Sequence, residues 1–214
     1  SVRERFHHDA PADGPIGHCT HRLNDPDRDP VLQSLRAHGL NNDPKDRVRV
    51  IQIPAYLAPG DEVFNLPYEA VLGGFDFSAF PSFYEPWGYT PVESLGCGVP
   101  TITSDHAGFG KWLLDHQLDG PGIAEVLLRD GRSDSDAHAD LVAMLERFLA
   151  LPSSPARSKR CQQVAEAVAW DKLIGLQVQA LSAARAQAET RVPSTPGRAP
   201  MHALPLARAA GAPS

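Results

Sequence analysis

Glu85-Pro86-Trp87-Gly88-Tyr89-Thr90-Pro91-Val92-Glu93 lies where a strand pattern gives way to a helix pattern. Upstream, Phe75-Asp76-Phe77-Ser78-Ala79-Phe80 is a short, mostly apolar run of strand type. Downstream, Thr90 suits a helix N-cap, Pro91 the first helical position, and Glu93 the third, completing a capping box. Read that way, Glu93 is a cap that stabilises by about 0.5–2 kcal/mol. Position adds a second reading. A helix N-terminus directly after a strand end is where open α/β sheets bind ligands. Its free N–H groups and positive dipole end suit a phosphate, and Gly88 lets a ligand approach the backbone. Glu85, just before this anion site, is placed to bond sugar hydroxyls. Glu93, one turn further on, is placed to take ribose hydroxyls. Two carboxylates flanking one phosphate turn fit a nucleotide sugar.

The pattern around this stretch predicts a parallel α/β sheet. Val31–His38 reads as a short helix with Gly39 as its C′ residue. Arg47-Val48-Arg49-Val50-Ile51-Gln52-Ile53 alternates and is rich in β-branched residues, which predicts a strand. Leu66–Leu72 predicts a short helix. The helix opening near Thr90 ends at Gly98, Val99–Thr103 predicts another strand, and Gly108-Phe109-Gly110 leads into the next helix. Strands and helices in alternation argue for βαβ units. Beyond Ser133 the pattern is helical: Leu141, Met144, Leu145, Phe148 and Leu149 share one apolar face. Residues 155–168 and 170–185 predict two more helices. The expected division is a flexible or truncated lead-in over 1–16, a nucleotide-sugar-binding domain over 17–132, and helices packing on it over 133–185. A Pro- and Ala-rich tail over 186–214 has too little apolar surface to order itself.

Composition narrows the function classes. The chain has 214 residues and a formal charge of −6, with no basic stripe of the kind nucleic acid requires. No apolar run approaches a membrane-spanning length, and no leader points to secretion. Cys19, Cys97 and Cys161 lie far apart, so reduced cytosolic thiols are the simpler reading and one disulfide the alternative. Cys97, at an apolar helix end, is expected to be an inert buried thiol. His18-Cys19-Thr20-His21, with His7 and His8, matches no zinc spacing, so no metal is expected. Asp105-His106 invites an acid/base role that nothing in the sequence fixes. Trp112 and Trp170 read as packing residues. The first residue is Ser1, consistent with processing or with a longer parent protein.

Phe80-Pro81-Ser82-Phe83-Tyr84-Glu85-Pro86-Trp87-Gly88-Tyr89-Thr90-Pro91 resembles the signature of the glycogen synthases of animal and fungal type and their bacterial relatives. Glu85 and Glu93 match the E-x7-E pattern of retaining glycosyltransferases with two Rossmann domains (the GT-B architecture). Cys19-Thr20-His21, Asp29-Pro30-Val31-Leu32, Asp46-Arg47-Val48, Gly98-Val99-Pro100-Thr101-Ile102-Thr103, Gly108-Phe109-Gly110 and the Trp170 region recur in the same order, over roughly 17–185.

The resemblance implies a Rossmann-like fold forming the C-terminal half of such an enzyme. It implies transfer of glucose from UDP- or ADP-glucose to the non-reducing end of an α-1,4-glucan with retention, without a metal cofactor, in the cytoplasm. Glu85 would be catalytic. Gly88, Tyr89 and Thr90 would hold the phosphate, Glu93 the ribose, and Tyr68 would cover the nucleobase. Gly108, Phe109 and Gly110 would either approach the donor sugar or serve as a plain turn. The implied partners are the nucleotide sugar, the α-glucan acceptor and an N-terminal Rossmann domain absent from these 214 residues. The chain alone is therefore expected to be inactive. Homo-oligomerisation stays open. Gly73-Gly74-Phe75-Asp76 departs from the Arg-Gly-Cys-His of the eukaryotic enzymes, and Ile53-Pro54 from their His-Pro. Of their arginine-rich helix only Arg157, Lys159 and Arg160 remain, read here as a solvated basic helix end. Alternatives are a retaining transferase with another donor or acceptor, or a non-catalytic glucan-binding or regulatory module.

Overall fold

Asp29 and Pro30 open the first helix of the structure, a computed structural model that describes residues 17–21 and 23–191. Helix α1 spans Pro30–Ala37. The Asp29 carboxylate accepts from the Leu32 N–H at 2.9 Å, and Pro30 has no N–H to leave unpaired. Gly39, at φ 68°, donates to the Arg36 carbonyl while Leu40 donates to Leu35. That pair of bonds is the Schellman closure expected of a C′ glycine.

The strand expected over Arg47–Ile53 does not form. The Asn42 side chain occupies the backbone of Val50 instead, donating from Nδ2 to its carbonyl (2.8 Å) and accepting from its N–H (2.9 Å). Among the described residues the one ladder contact of this stretch is an isolated parallel bridge between Gln52 and Cys19. An alternating pattern makes a strand only where a partner strand is present.

The sheet is built further along. After α2 (Tyr68–Leu72) come β1 (Ser78–Ala79), α3 (Tyr89–Gly96), β2 (Thr101–Ser104), α4 (Gly108–Asp115) and β3 (Ala124–Leu127). The three strands are parallel in the order β1-β2-β3, with Ser78 opposite Thr101 and Ile102 opposite Glu125. This is the expected Rossmann-like α/β arrangement, with a helix in each crossover. β3 is a strand the sequence reading lacks. It is buried along its whole length, so it shows no alternation, and Glu125 sits in its middle. That carboxylate is paired with Arg147 and accepts the Gly122 N–H at 3.0 Å, which lets a charge lie in the sheet.

Alternation along β2 separates two layers. Ile102 packs with Leu127 and with Phe148 of α5 (Asp134–Ala150), joined by Phe77, Leu141, Met144 and Leu145. The Phe77 and Phe148 rings stack at 5.2 Å. Leu149, expected on the same face, is 77% exposed; it follows Phe148 by 100° of helical turn, which carries it off the stripe. Thr101 faces the other way. Its hydroxyl accepts from Ser78 Oγ (2.9 Å), which also lies 2.7 Å from Ser94 Oγ on α3. α3 in turn packs on α6 (Pro155–Ala167), where Leu95, Cys161 and Val164 are buried.

Contacts divide the chain at Ala169/Trp170. Past that point the described residues form α7 (Trp170–Arg191). It continues beyond the expected end at 185 into residues assigned to a disordered tail. Strong helix formers and an Arg185–Glu189 pair at 2.9 Å support that extension. The lead-in over 1–16 and residues 192–214 lie outside the described residues. Among the described residues no helix is long and apolar enough to cross a membrane.

Candidate nucleotide-sugar site at the C-terminal edge of the sheet

Three loops leave the C-terminal ends of β1, β2 and β3, and they meet. The β2 loop is tied to the β3 loop by Asp105. Its buried carboxylate accepts the N–H groups of Arg129 (2.8 Å) and Asp130 (3.0 Å). Asp105 is thus a structural clamp, and the His106 ring bonds the Phe83 carbonyl through Nδ1. The β1 loop is tied to the β2 loop by Glu85, which forms an isolated parallel bridge with Ala107. The Glu85 N–H donates to the His106 carbonyl, and the Glu85 carbonyl accepts from Gly108, each at 3.1 Å. The Phe109 N–H donates to Trp87 at 2.7 Å.

These bonds explain Gly108, and the close approach of α4 to the end of β2 explains Gly110. A Cβ on Gly108 would stand 2.2 Å from the Pro86 carbonyl oxygen, and one on Gly110 would stand 2.0 Å from that of Ser104. No side chain fits either place. The N–H groups of Gly108 and Phe109 are spent on the Glu85 loop, so these residues hold that loop in place. Phe109 is fully buried, edge-on to Trp87 at 5.9 Å and stacked on Trp112 at 6.1 Å. Trp87 and Trp112 belong to this aromatic seam, whereas Trp170, expected to pack, is exposed.

α3 begins at Tyr89, with Gly88 as its N-cap at φ 97° and ψ 81°. The capping box assigned to Thr90 and Glu93 is therefore not formed. The left-handed Gly88 turns the chain into helix two residues early, so Thr90 and Glu93 fall at the second and fifth helical positions, and no side chain caps the end. Glu93 is exposed and released from any capping duty. The first-turn N–H groups of Tyr89 and Thr90 have no intrahelical acceptor to bond. Gly88 packs against Glu85: a Cβ there would lie 3.4 Å from the Glu85 Cγ.

Glu85 lines an open cleft of about 540 Å³ with Phe83, Tyr84, His106, Gly108 and Lys111. Lys111 is absent from the sequence reading. The signal was there: it follows Gly108 by three residues in one helix and shares its face. At the other end of α3, Tyr68 of α2 lies near Glu93. Its phenol is pushed up by burial, then by the carboxylate of Glu93, the Cys97 thiol and Glu69. Cys97 is half-buried rather than buried, with its thiol also raised, first by burial. The fully buried thiol is Cys161, pushed up to about 11 by burial. Among the described residues no group of three His, Cys, Asp or Glu side chains is placed to hold a metal ion.

The chain resembles known proteins across most of its length. A family model described as glycogen synthase matches residues 12–193. The liver glycogen (starch) synthase of Homo sapiens is 36% identical over 130 residues, 60% of this chain and 18% of that protein. The glycogen (starch) synthase of Caenorhabditis elegans is 43% identical over 101 residues, 47% of this chain and 15% of that protein. Isoform 1 of Saccharomyces cerevisiae is 43% identical over 134 residues, 61% of this chain and 19% of that protein. The matched segment thus spans less than a fifth of each of these relatives. With a family match over residues 12–193 and a glutamate-flanked helix N-terminus at the edge of a parallel sheet, the chain belongs to the glycogen synthase family.

Proposed function

We propose that this chain carries the donor half-site of a retaining glucosyltransferase, which extends an α-1,4-glucan at its non-reducing end with glucose from UDP- or ADP-glucose. One observation carries the reading: Glu85 is fixed at the sheet edge directly beside the open N-terminus of α3. As the glycosidic bond to the leaving phosphate breaks, positive charge grows on the sugar ring and negative charge on the distal phosphate. A carboxylate at Glu85 stabilises the first. The N–H groups of Tyr89 and Thr90, with the helix dipole, stabilise the second. Lys111, in the Glu85 cleft, adds positive charge, and the resemblance implies further basic side chains from the early part of the same C-terminal domain. That arrangement neutralises a diphosphate without calling for a metal.

Glu93, freed from capping, takes the ribose hydroxyls, and Tyr68 beside it covers the base. The nucleotide then lies along α3 with its sugar toward the Glu85 cleft. A cytoplasmic location and an α-glucan acceptor belong with this reading. The full-length protein, incubated with UDP-, ADP- and GDP-glucose and glycogen, tests it. Retention of configuration and glucan extension from one of the first two donors are expected. Transfer only from another nucleotide sugar, or only to a small acceptor, would favour the alternative retaining transferase instead. Nucleotide and glucan binding with no transfer from any donor would favour a binding or regulatory module.

A further inference from the structure

In the segment from Ser82 to Glu85, both aromatic side chains stand largely in solvent. Phe83 is 74% exposed and Tyr84 79%, so hydrophobic burial does not fix its path. It is held from outside. Ser104 Oγ donates to the Ser82 carbonyl at 2.7 Å. His106 Nδ1 lies 3.1 Å from the Phe83 carbonyl, so in this bond Nδ1 carries the proton. The His106 carbonyl accepts from Glu85. The Phe83 ring rests on the Arg129 guanidinium, 3.7 Å from ring centroid to Cζ. The Arg129 side chain is only 13% exposed and lies 3.8 Å from the Asp134 carboxylate. Its backbone is anchored by Asp105. An exposed aromatic ring on a nearly buried, doubly anchored cation is a poor use of burial and an effective fixing point.

We infer that Arg129 is a positioning residue for Glu85, acting through Phe83, with His106 holding the same segment by its ring and its carbonyl. The inference rests on the reading of Glu85 as the residue facing the donor sugar. Arg129 stands after β3, far from the motif in sequence, and is not among the residues that line the Glu85 cleft. Its loss should shift the Glu85 carboxylate while leaving the N-terminus of α3 intact.

Steady-state kinetics on the full-length protein read this directly, with nucleoside diphosphate binding (UDP and ADP as probes) measured in parallel. Arg129→Met is expected to lower kcat about 10- to 100-fold, the cost of a small misplacement. Donor KM and nucleoside diphosphate affinity should stay within about twofold, because a residue that only positions Glu85 makes no contact with the donor to lose. Arg129→Lys, which keeps a cation over the ring, should recover most of the rate. Phe83→Leu, on an exposed side chain, should match Arg129→Met, and the double variant should be no worse than either single one. His106→Asn, which keeps a donor in place of Nδ1, should outperform His106→Ala. Wild-type kcat in Arg129→Met and Phe83→Leu would overturn the inference, as would additive losses or a parallel fall in nucleoside diphosphate affinity. Glu85→Gln, run alongside, separates the two claims. If it alone abolishes transfer, the reading of Glu85 stands and the role of Arg129 falls. If it leaves transfer intact, the reading of Glu85 falls.

Discussion

The two ends of α3 are built to different standards. At the Glu85 end, backbone bonds from His106, Gly108 and Phe109 fix the chain on both sides of the carboxylate, and two glycines admit the close approach. At the Glu93 end, the phenol of a half-buried tyrosine is raised first by burial and then by the exposed carboxylate beside it. The difference matches the roles proposed for each end. A group that meets developing charge in a transition state must be preorganised. A group that binds a ribose or a base loses little if it shifts by a fraction of an ångström. The clamped end is therefore read as the chemical one and the loose end as the binding one.

The sharpest way to break that contrast is to unseat the clamp. Gly110→Ala forces a Cβ to within 2.0 Å of the Ser104 carbonyl in a region that cannot give. Destabilisation of about 3 kcal/mol is expected, with thermal melting lowered by on the order of 10 °C and activity falling with it. A melting curve checks this. Wild-type stability would mean that the helix and strand are not locked as described. A smaller effect is expected from Glu93→Gln: donor KM rises about tenfold, kcat changes less than threefold, and stability is unchanged, since the residue makes no cap. If the melting temperature falls instead, Glu93 is structural and the contrast fails. Tyr68→Phe should be the mildest. It keeps the ring and removes only the hydroxyl, so a change in donor KM below about threefold is expected, whereas Tyr68→Ala should cost more.

The fold class was legible in the alternation of strands and helices, and the candidate stretch stood out because Glu85, Gly88 and Glu93 lie within one short run. The helix spacing also told where most helices lie. Three things were not readable, each for a physical reason. β3 is buried on both faces and carries a charge, so it shows neither alternation nor a plain apolar run. Arg47–Ile53 alternates like a strand but meets the Asn42 side chain where a strand would have to be. The capping box depends on where a helix begins, and the left-handed backbone of Gly88 moved that start. Beyond these, Lys111, His106 and Arg129 reach the site only through the folding of β2 and β3 beside β1, a relation that no local pattern encodes.

The central claim is that Glu85 acts on the sugar while the N-terminus of α3 holds the nucleotide. The most direct test follows labelled glucose from UDP- or ADP-glucose into glycogen with the full-length wild type and with Glu85→Gln, alongside nucleoside diphosphate binding. The account predicts glucan extension by the wild type. It predicts a fall of about a thousandfold in kcat for Glu85→Gln, comparable to the loss of a key electrostatic group, with nucleoside diphosphate affinity unchanged. Extension by Glu85→Gln at the wild-type rate would contradict it.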